Sequence, residues 1–250
     1  VKIAISQPAY LPWCGFFDLM DQVDQFVFLD DAQFVKQSWH HRNRIKATGA
    51  LQWLTVPVAY HGKLGQPICD VTIQDPQFAG RHARAVEVNY GRSHYFEEYY
   101  PAFRAILQKY SGGGRLVELN LELIGWLARE LMISTPTVRS SSLAAEGKRS
   151  ARLVSMCKLL GATEYLSPRS ADYLLGDLPL FQEARVTVLF QNYMHPTYQQ
   201  RFPPFLAHAS VLDLVFNEGP AAGGILRSGR KPALEPKDLQ PCHAVAVVGA

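Results

Sequence analysis

From Lys2 to Ser6 polar and apolar residues alternate, and the alternation stops at Gln7-Pro8. A period of two over five residues predicts a strand. Between Phe16 and Val23 the apolar residues Phe17, Met20 and Val23 fall at helical spacing, and the unbroken run Phe26 to Leu29 follows. The order is strand, loop, helix, strand. Such a unit closes as a right-handed crossover between parallel strands, which sets Gln7-Pro8 and Asp30-Asp31 along one edge of a sheet. In open α/β sheets ligands bind at that edge.

Further along, Leu51 to Val58 predicts another strand and Cys69 to Ile73 a short one, while Arg81 to Tyr90 and Tyr99 to Tyr110 predict helices. The breaker Ser111-Gly112-Gly113-Gly114 ends this half. Leu116, Leu119, Leu123, Leu127 and Leu131 mark a long helix to Met132, and a second helix runs from about Lys148 to Leu160, where Gly161 stops it. Glu164 to Ser167 predicts a strand, Pro168 to Leu175 a turn and helix, and Val186 to Tyr193 a strand of β-branched and aromatic residues. A last apolar helix spans Ala209 to Phe216, capped by Ser210 or a neighbour, and periodicity is lost from Ala221 onward. The pattern predicts an α/β protein with a mainly parallel sheet, flanking helices and a Rossmann-like N-terminal half. Residues 1–114 would form a nucleotide-binding-like half, 115–229 a second α/β half and 230–250 an irregular tail.

Composition narrows the classes. The 250 residues are 48% hydrophobic with a formal net charge of +3, enough apolar content for a core and too little basic excess for a duplex-binding protein. No nucleic-acid partner is expected. The cysteines at 14, 69, 157 and 242 form no C-x-x-C pair, which fits reduced thiols in a cytoplasmic protein. No apolar run approaches the roughly 20 residues that span a bilayer, and the first residues look like a strand and not a signal segment. The histidines lack metal-ligand spacing, so no metal is expected. The chain has no Gly-x-Gly-x-x-Gly and no phosphate-loop motif, and no cofactor is expected.

Candidate chemistry falls in two places. In the first half, Gln7 and Tyr10 follow the first strand, Asp30 and Asp31 end the second, and Arg42 and Arg44 flank Asn43 so that, if extended, both guanidinium groups share a face. Arginines so placed suit a phosphate or carboxylate, and the aspartates suit a sugar hydroxyl or a turn backbone. In the second half, Cys157, His195 and Asp213 occur in a nucleophile, base, orienter order, with Tyr198 and Gln199 beside the histidine. Cys157 also sits on a helical stripe with Leu153, Met156 and Leu160, which reads more readily as core than as a nucleophile. His195 follows a strand end, where sites gather, and reads equally as a residue bonded to a nearby carbonyl. Cys14 lies near a helix N-terminus, where backbone dipoles favour a thiolate.

The segments QPAYLPWCGFFDLMDQVDQFVFLDDAQFVKQSWHHRNRIK, LTVPV, GATEYLSP, VLFQNYMHPTYQQ and SVLDLVFNEGP together resemble the WbqC-like family of bacteria, from Lys2 to about Gly229. The chain departs from the family pattern at His41 and Cys14. The resemblance implies a transferase of an aminoacyl or acyl group, glycine among them, that forms an amide or ester in O-antigen polysaccharide or specialised-metabolite biosynthesis. It implies a small-molecule or sugar acceptor and an acyl-carrier protein as a thioester partner. The alternative is a non-catalytic protein that binds a sugar nucleotide or a carrier-bound intermediate.

Overall fold

Along the chain the elements are β1 (Lys2–Ser6), α1 (Cys14–Asp21), β2 (Gln25–Phe28), β3 (Arg42–Lys46), β4 (Leu51–Thr55), α2 (Phe78–Tyr90), α3 (Phe96–Lys109), α4 (Leu116–Glu130), β5 (Thr137–Arg139), α5 (Ser150–Leu159), β6 (Glu164–Ser167), α6 (Leu178–Glu183), β7 (Thr187–Phe190), α7 (Val211–Glu218) and α8 (Ala222–Ser228). The computed structural model describes residues 1–60, 62 and 65–239. His61, Cys242 and residues 240–250 of the expected tail lie outside the described residues.

Five strands form one parallel sheet in the order β5-β2-β1-β6-β7, with Ser6 opposite Phe28 and Ser167 opposite Phe190. This is an α/β fold. Because side chains alternate across a strand, the sheet has two apolar faces. Ala4, Phe26, Phe28 and Leu166 join one core, with residues of α1, α2, α3, α4, α7 and α8. Ile3, Ile5, Val27, Tyr165, Val188 and Phe190 join the other, with residues of α5 and α6. The sheet takes β1 and β2 from the first half of the chain and β5, β6 and β7 from the second, so the two halves share it.

The antiparallel hairpin β3-β4 stands outside this sheet, with Arg44 opposite Trp53 and Arg42 opposite Thr55. Asn43, Ile45 and Leu54 turn inward and are buried. Ser210 N–H donates to Arg44 O at 2.8 Å and ties the hairpin to the start of α7. As expected, the Ser210 side chain caps α7 by accepting from Leu212 N.

Three expectations need correction, and one short strand was not expected. Cys69 to Ile73 forms no strand: Ile68–Asp70 is a 3-10 turn whose Ile68 and Cys69 N–H groups donate to Ala32 O and Asp30 O, with isolated bridges after it. Pro168 to Leu175 is a loop leading into a 3-10 turn, and α6 starts only at Leu178, with Pro179 in its first turn where a missing N–H costs nothing. The three-residue β5 is too short to show alternation. From Ala222 to Ser228, where the sequence loses its period, the chain is helical. α8 carries Gly223 and Gly224, which hide its periodicity, and Arg227 anchors it with two 2.8 Å bonds to Asp21. Arg230 then meets buried Asp18 at 2.8 Å and Asp21 at 2.5 Å, and Leu234 bridges to Phe190.

Among the described residues no helix is long and apolar enough to cross a membrane.

Candidate functional site

The carboxyl ends of the strands deliver the loops that carry the candidate residues. At the ends of β2 and β5 the charges neutralise one another. Asp30 is fully buried and accepts from Arg139 Nε at 2.6 Å, Ser141 N at 2.9 Å and Ser141 Oγ at 2.8 Å. These bonds hold its carboxyl below the usual carboxylate range against the opposing effect of burial. Asp31 accepts from Ser140 Oγ at 2.6 Å and pairs with Arg152. Both aspartates, expected to meet a substrate, are instead fastened to the turn that follows β5.

Three more expected binding residues are internal. Tyr10 is fully buried and its hydroxyl donates to His82 Nδ1 at 2.8 Å. Asn43 is buried and donates to Tyr10 O and Leu11 O, so it holds the loop after β1. Tyr198 is buried and donates to Asp213 Oδ2 at 2.7 Å. Gln7 is exposed and accepts from His40 Nε2 at 2.8 Å, while His40 Nδ1 accepts from Val35 N; burial lowers the pKa of this histidine to about 4. Gln199 is exposed, its N–H donating to Glu218.

The expected Cys157, His195, Asp213 grouping does not assemble. Cys157 belongs to the core on one face of the sheet, with Leu153, Met156 and Phe181, whereas Asp213 lies among the residues of α7 that pack on the other face. Burial pushes the Cys157 thiol up to about 12, and no charged group offsets it. A thiol so placed is a packing residue. Cys14 opens α1, yet it is fully buried, and burial together with the charge of Asp213 raises its pKa. The dipole of an eight-residue helix does not overcome that desolvation.

His195 stands where the strand end brings it, on the loop after β7, and its ring is surrounded by aromatic neighbours. Centroid distances are 6.2 Å to Trp13, 6.1 Å to Tyr198, 5.9 Å to Phe205 and 5.3 Å to His208. Nδ1 lies 2.9 Å from Pro196 O; a carbonyl only accepts, so Nδ1 carries the proton and Nε2 holds a lone pair. Nε2 is buried and has no partner. Burial, and secondarily the neighbouring His208, lower the His195 pKa, so the ring is neutral at pH 7. Asp213 does not touch His195. It is buried in α7, accepts from Tyr198 and from Gln200 Nε2 at 2.8 Å, and Gln200 Oε1 accepts from Leu206 N. In this way it fixes the loop whose Tyr198 and Phe205 pack on the imidazole.

Trp13 forms the opposite wall, its ring 5.2 Å from His208 and 5.8 Å from Tyr193. Gly15 is required there, because any Cβ would collide with the Trp13 indole. His208 in turn feels the charge of Arg44, which lowers its pKa further after burial. The site therefore continues onto the hairpin. Arg42 stacks 4.3 Å over Trp53, and Arg44 lies 5.5 Å from Trp39 and 5.4 Å from Trp53. Lys46, the third basic residue of β3, is instead buried, its Nζ donating to Ala47 O at 2.9 Å.

Trp13, Trp39, Trp53 and His208 escaped the sequence reading. The pairing of Arg44 with Trp53 could have been found by folding Arg42–Lys46 back on Leu51–Thr55, since alternation then puts both on one face. Nothing in the local pattern signals that Trp13 and His208 converge, because their meeting depends on the segments that lead into α1 and α7 coming together, Trp13 bridging to Ser210.

Comparison with known proteins agrees with the sequence resemblance. An uncharacterized protein of Mycobacterium tuberculosis, Rv1507c, is 36% identical over 232 residues, covering 92% of this chain and 99% of its own. No solved structure matches the chain. The pattern of the WbqC-like protein family matches residues 7–225, a span that begins directly after β1 and holds β2 to β7, the hairpin, His195 and His208. With that span and that relative, the chain belongs to the WbqC-like protein family.

Proposed function

We propose that this protein is a transferase that moves an aminoacyl or acyl group, glycine among the candidates, onto an amine or hydroxyl of a sugar or metabolite, with His195 as the general base. One observation carries the reading: a neutral histidine at a strand end, its Nδ1–H committed to Pro196 O and its Nε2 lone pair without a partner. A base needs that state. Nε2 would take the proton from the acceptor as its nitrogen or oxygen attacks the acyl carbonyl, and would return it to the departing thiolate of a carrier-bound thioester. The burial of Cys157 on the far face of the sheet favours direct transfer over an acyl-enzyme.

The competing reading, a binding protein for a sugar nucleotide or carrier-bound intermediate, draws support from the Arg42, Arg44, Trp39 and Trp53 surface, which requires no base. His195→Gln separates the two. Assayed with glycyl and simple acyl thioesters against amino-sugar acceptors, the variant is expected to lose transfer; turnover equal to the parent protein would remove the catalytic role. Intact mass of the parent under single-turnover conditions should show no adduct on Cys157, and an adduct there would restore the covalent route.

A further inference from the structure

We infer that the outward face of the β3-β4 hairpin binds a nucleoside diphosphate, the base against Trp39 and Trp53 and the diphosphate on Arg42 and Arg44. Two independent observations meet there. The first is aromatic: Trp39 and Trp53 are 49% and 44% exposed, with ring centroids 5.5 Å apart and planes 30° from parallel. Water-exposed indoles side by side offer flat apolar surface that the guanidinium groups of Arg42 and Arg44 cover only in part, and base-on-indole stacking contributes about 1–3 kcal/mol per base.

The second is cationic. No ion pair among the described residues reaches Arg42 or Arg44, and the Nε of each is buried without a hydrogen-bond partner. Elsewhere on this chain partly buried arginines have acceptors: Arg139 has Asp30 and Glu118, Arg227 has Asp21, Arg230 has Asp18 and Asp21, and Arg201 has the carbonyls of Val88 and Asn89. Stacking on Trp53 fixes the Arg42 guanidinium in direction while its charge stays available, and a fixed planar fork is what binds phosphate oxygens in pairs.

Size and position select the ligand. The face has two indoles and two guanidinium groups, and the next basic residue along β3, Lys46, is buried. With a net charge of +3 there is no longer basic stripe for a nucleic-acid strand to follow. One base and one diphosphate fill the face. From Arg44 the line of residues leads to His208 and then to His195, so whatever the distal phosphate carries points toward the base proposed above. This deepens the transferase reading by naming its acceptor as a nucleoside-diphosphate sugar, but the binding face does not depend on His195.

Isothermal titration of the full chain with UDP and ADP tests the inference, with uridine, adenosine and pyrophosphate as the separated halves and a short single-stranded oligonucleotide as control. At least one nucleotide should bind tenfold or more tightly than either of its halves. The Arg42→Gln/Arg44→Gln double variant should weaken it at least tenfold, and Trp53→Ala at least fivefold. If Trp53→Ala disturbs the hairpin by circular dichroism, Trp39→Ala, whose indole lies outside either strand, replaces it. His195→Gln should bind as the parent does, so loss of transfer with binding intact leaves this inference standing, and intact transfer with no nucleotide binding removes it alone. No binding of either nucleotide, binding indifferent to all these variants, or tighter binding of the oligonucleotide through the same residues would overturn it.

Discussion

Two clusters sit at the same edge of the sheet and use their charges in opposite ways. At the ends of β2 and β5, Asp30, Asp31, Arg139, Arg152, Ser140 and Ser141 close on one another, and every carboxylate is answered. At the ends of β1 and β7, His195 keeps a lone pair unused, and on the adjoining hairpin Arg42 and Arg44 stack on indoles with no acid beside them. Both looked alike in the sequence, as charged residues after strands. The first is a clasp that holds the turn after β5 to the sheet; the second leaves a histidine lone pair and two arginines without an acid, and the proposed ligand site rests on that difference.

The comparison breaks most visibly by substitution on each side. His195→Gln should cut transfer about 10²–10⁴-fold, the usual worth of a general base, while unfolding in urea changes by less than about 1 kcal/mol. Asp30→Ala should do the reverse. Removing the buried carboxylate leaves the Ser141 N–H and hydroxyl without an acceptor and costs about 1–3 kcal/mol, read as a fall in the urea midpoint, while Arg139, partly exposed, keeps Glu118. If Asp30→Ala proved as stable as the parent while abolishing activity, the two clusters would have exchanged roles.

Acid sharpens the contrast between ordered and reactive histidines. His82, buried against Phe78 and Tyr10, titrates near 4 in the folded protein. The unfolded chain takes up its proton near 6.5, so between those values the unfolded state binds more protons, and stability rises with pH. That contribution is complete above about pH 6.5 and is lost as pH falls toward 4, about 3 kcal/mol in all. Urea unfolding at pH 7 and pH 4.5 should show the loss, and His82→Gln should remove its share of it, while His40, also lowered to about 4 by burial, retains another. Transfer should also fall in acid, but through the titration of His195, whose folded pKa is lowered, so His82→Gln should leave the pH dependence of activity in place.

Smaller effects belong to the thiols and to His208. Cys157→Ala should cost roughly 1 kcal/mol of stability through lost packing and leave transfer unchanged. His208→Gln removes a neighbour that depresses the His195 pKa, so the acid limb of the pH profile should move upward. A downward shift would mean that His208 acts on His195 by some means other than its charge.

Much of the fold was legible because it is written locally. Lys2–Ser6 and Glu164–Ser167 alternate or run apolar between clear stops, and both strands lie where the pattern put them. The parallel crossover that aligns Gln7 with Asp30 follows from the strand, helix, strand order and is present in the register of Ser6 with Phe28. What escaped is tertiary. α8 contains two glycines and exists because Arg227 and Arg230 reach back to Asp18 and Asp21 on α1, more than two hundred residues earlier in the chain. Cys157 could not be judged from its helix alone, since the face of the sheet it occupies decides whether His195 is within reach. His195 was visible as a polar residue after a strand. Its free Nε2 was not, because that depends on Trp13 arriving from the loop before α1 and on Phe205 and His208 folding back from further along the loop that carries it.

The account rests on one imidazole, and nitrogen-15 spectra of its ring test it most directly, with His195→Gln supplying the assignment. At pH 7 the His195 ring should be neutral, with the proton on Nδ1 and an unprotonated Nε2, and on acidification it should take up its proton below 6.5. A ring protonated at pH 7, or a neutral ring with its proton on Nε2, would leave no lone pair for the acceptor and would contradict the proposed base.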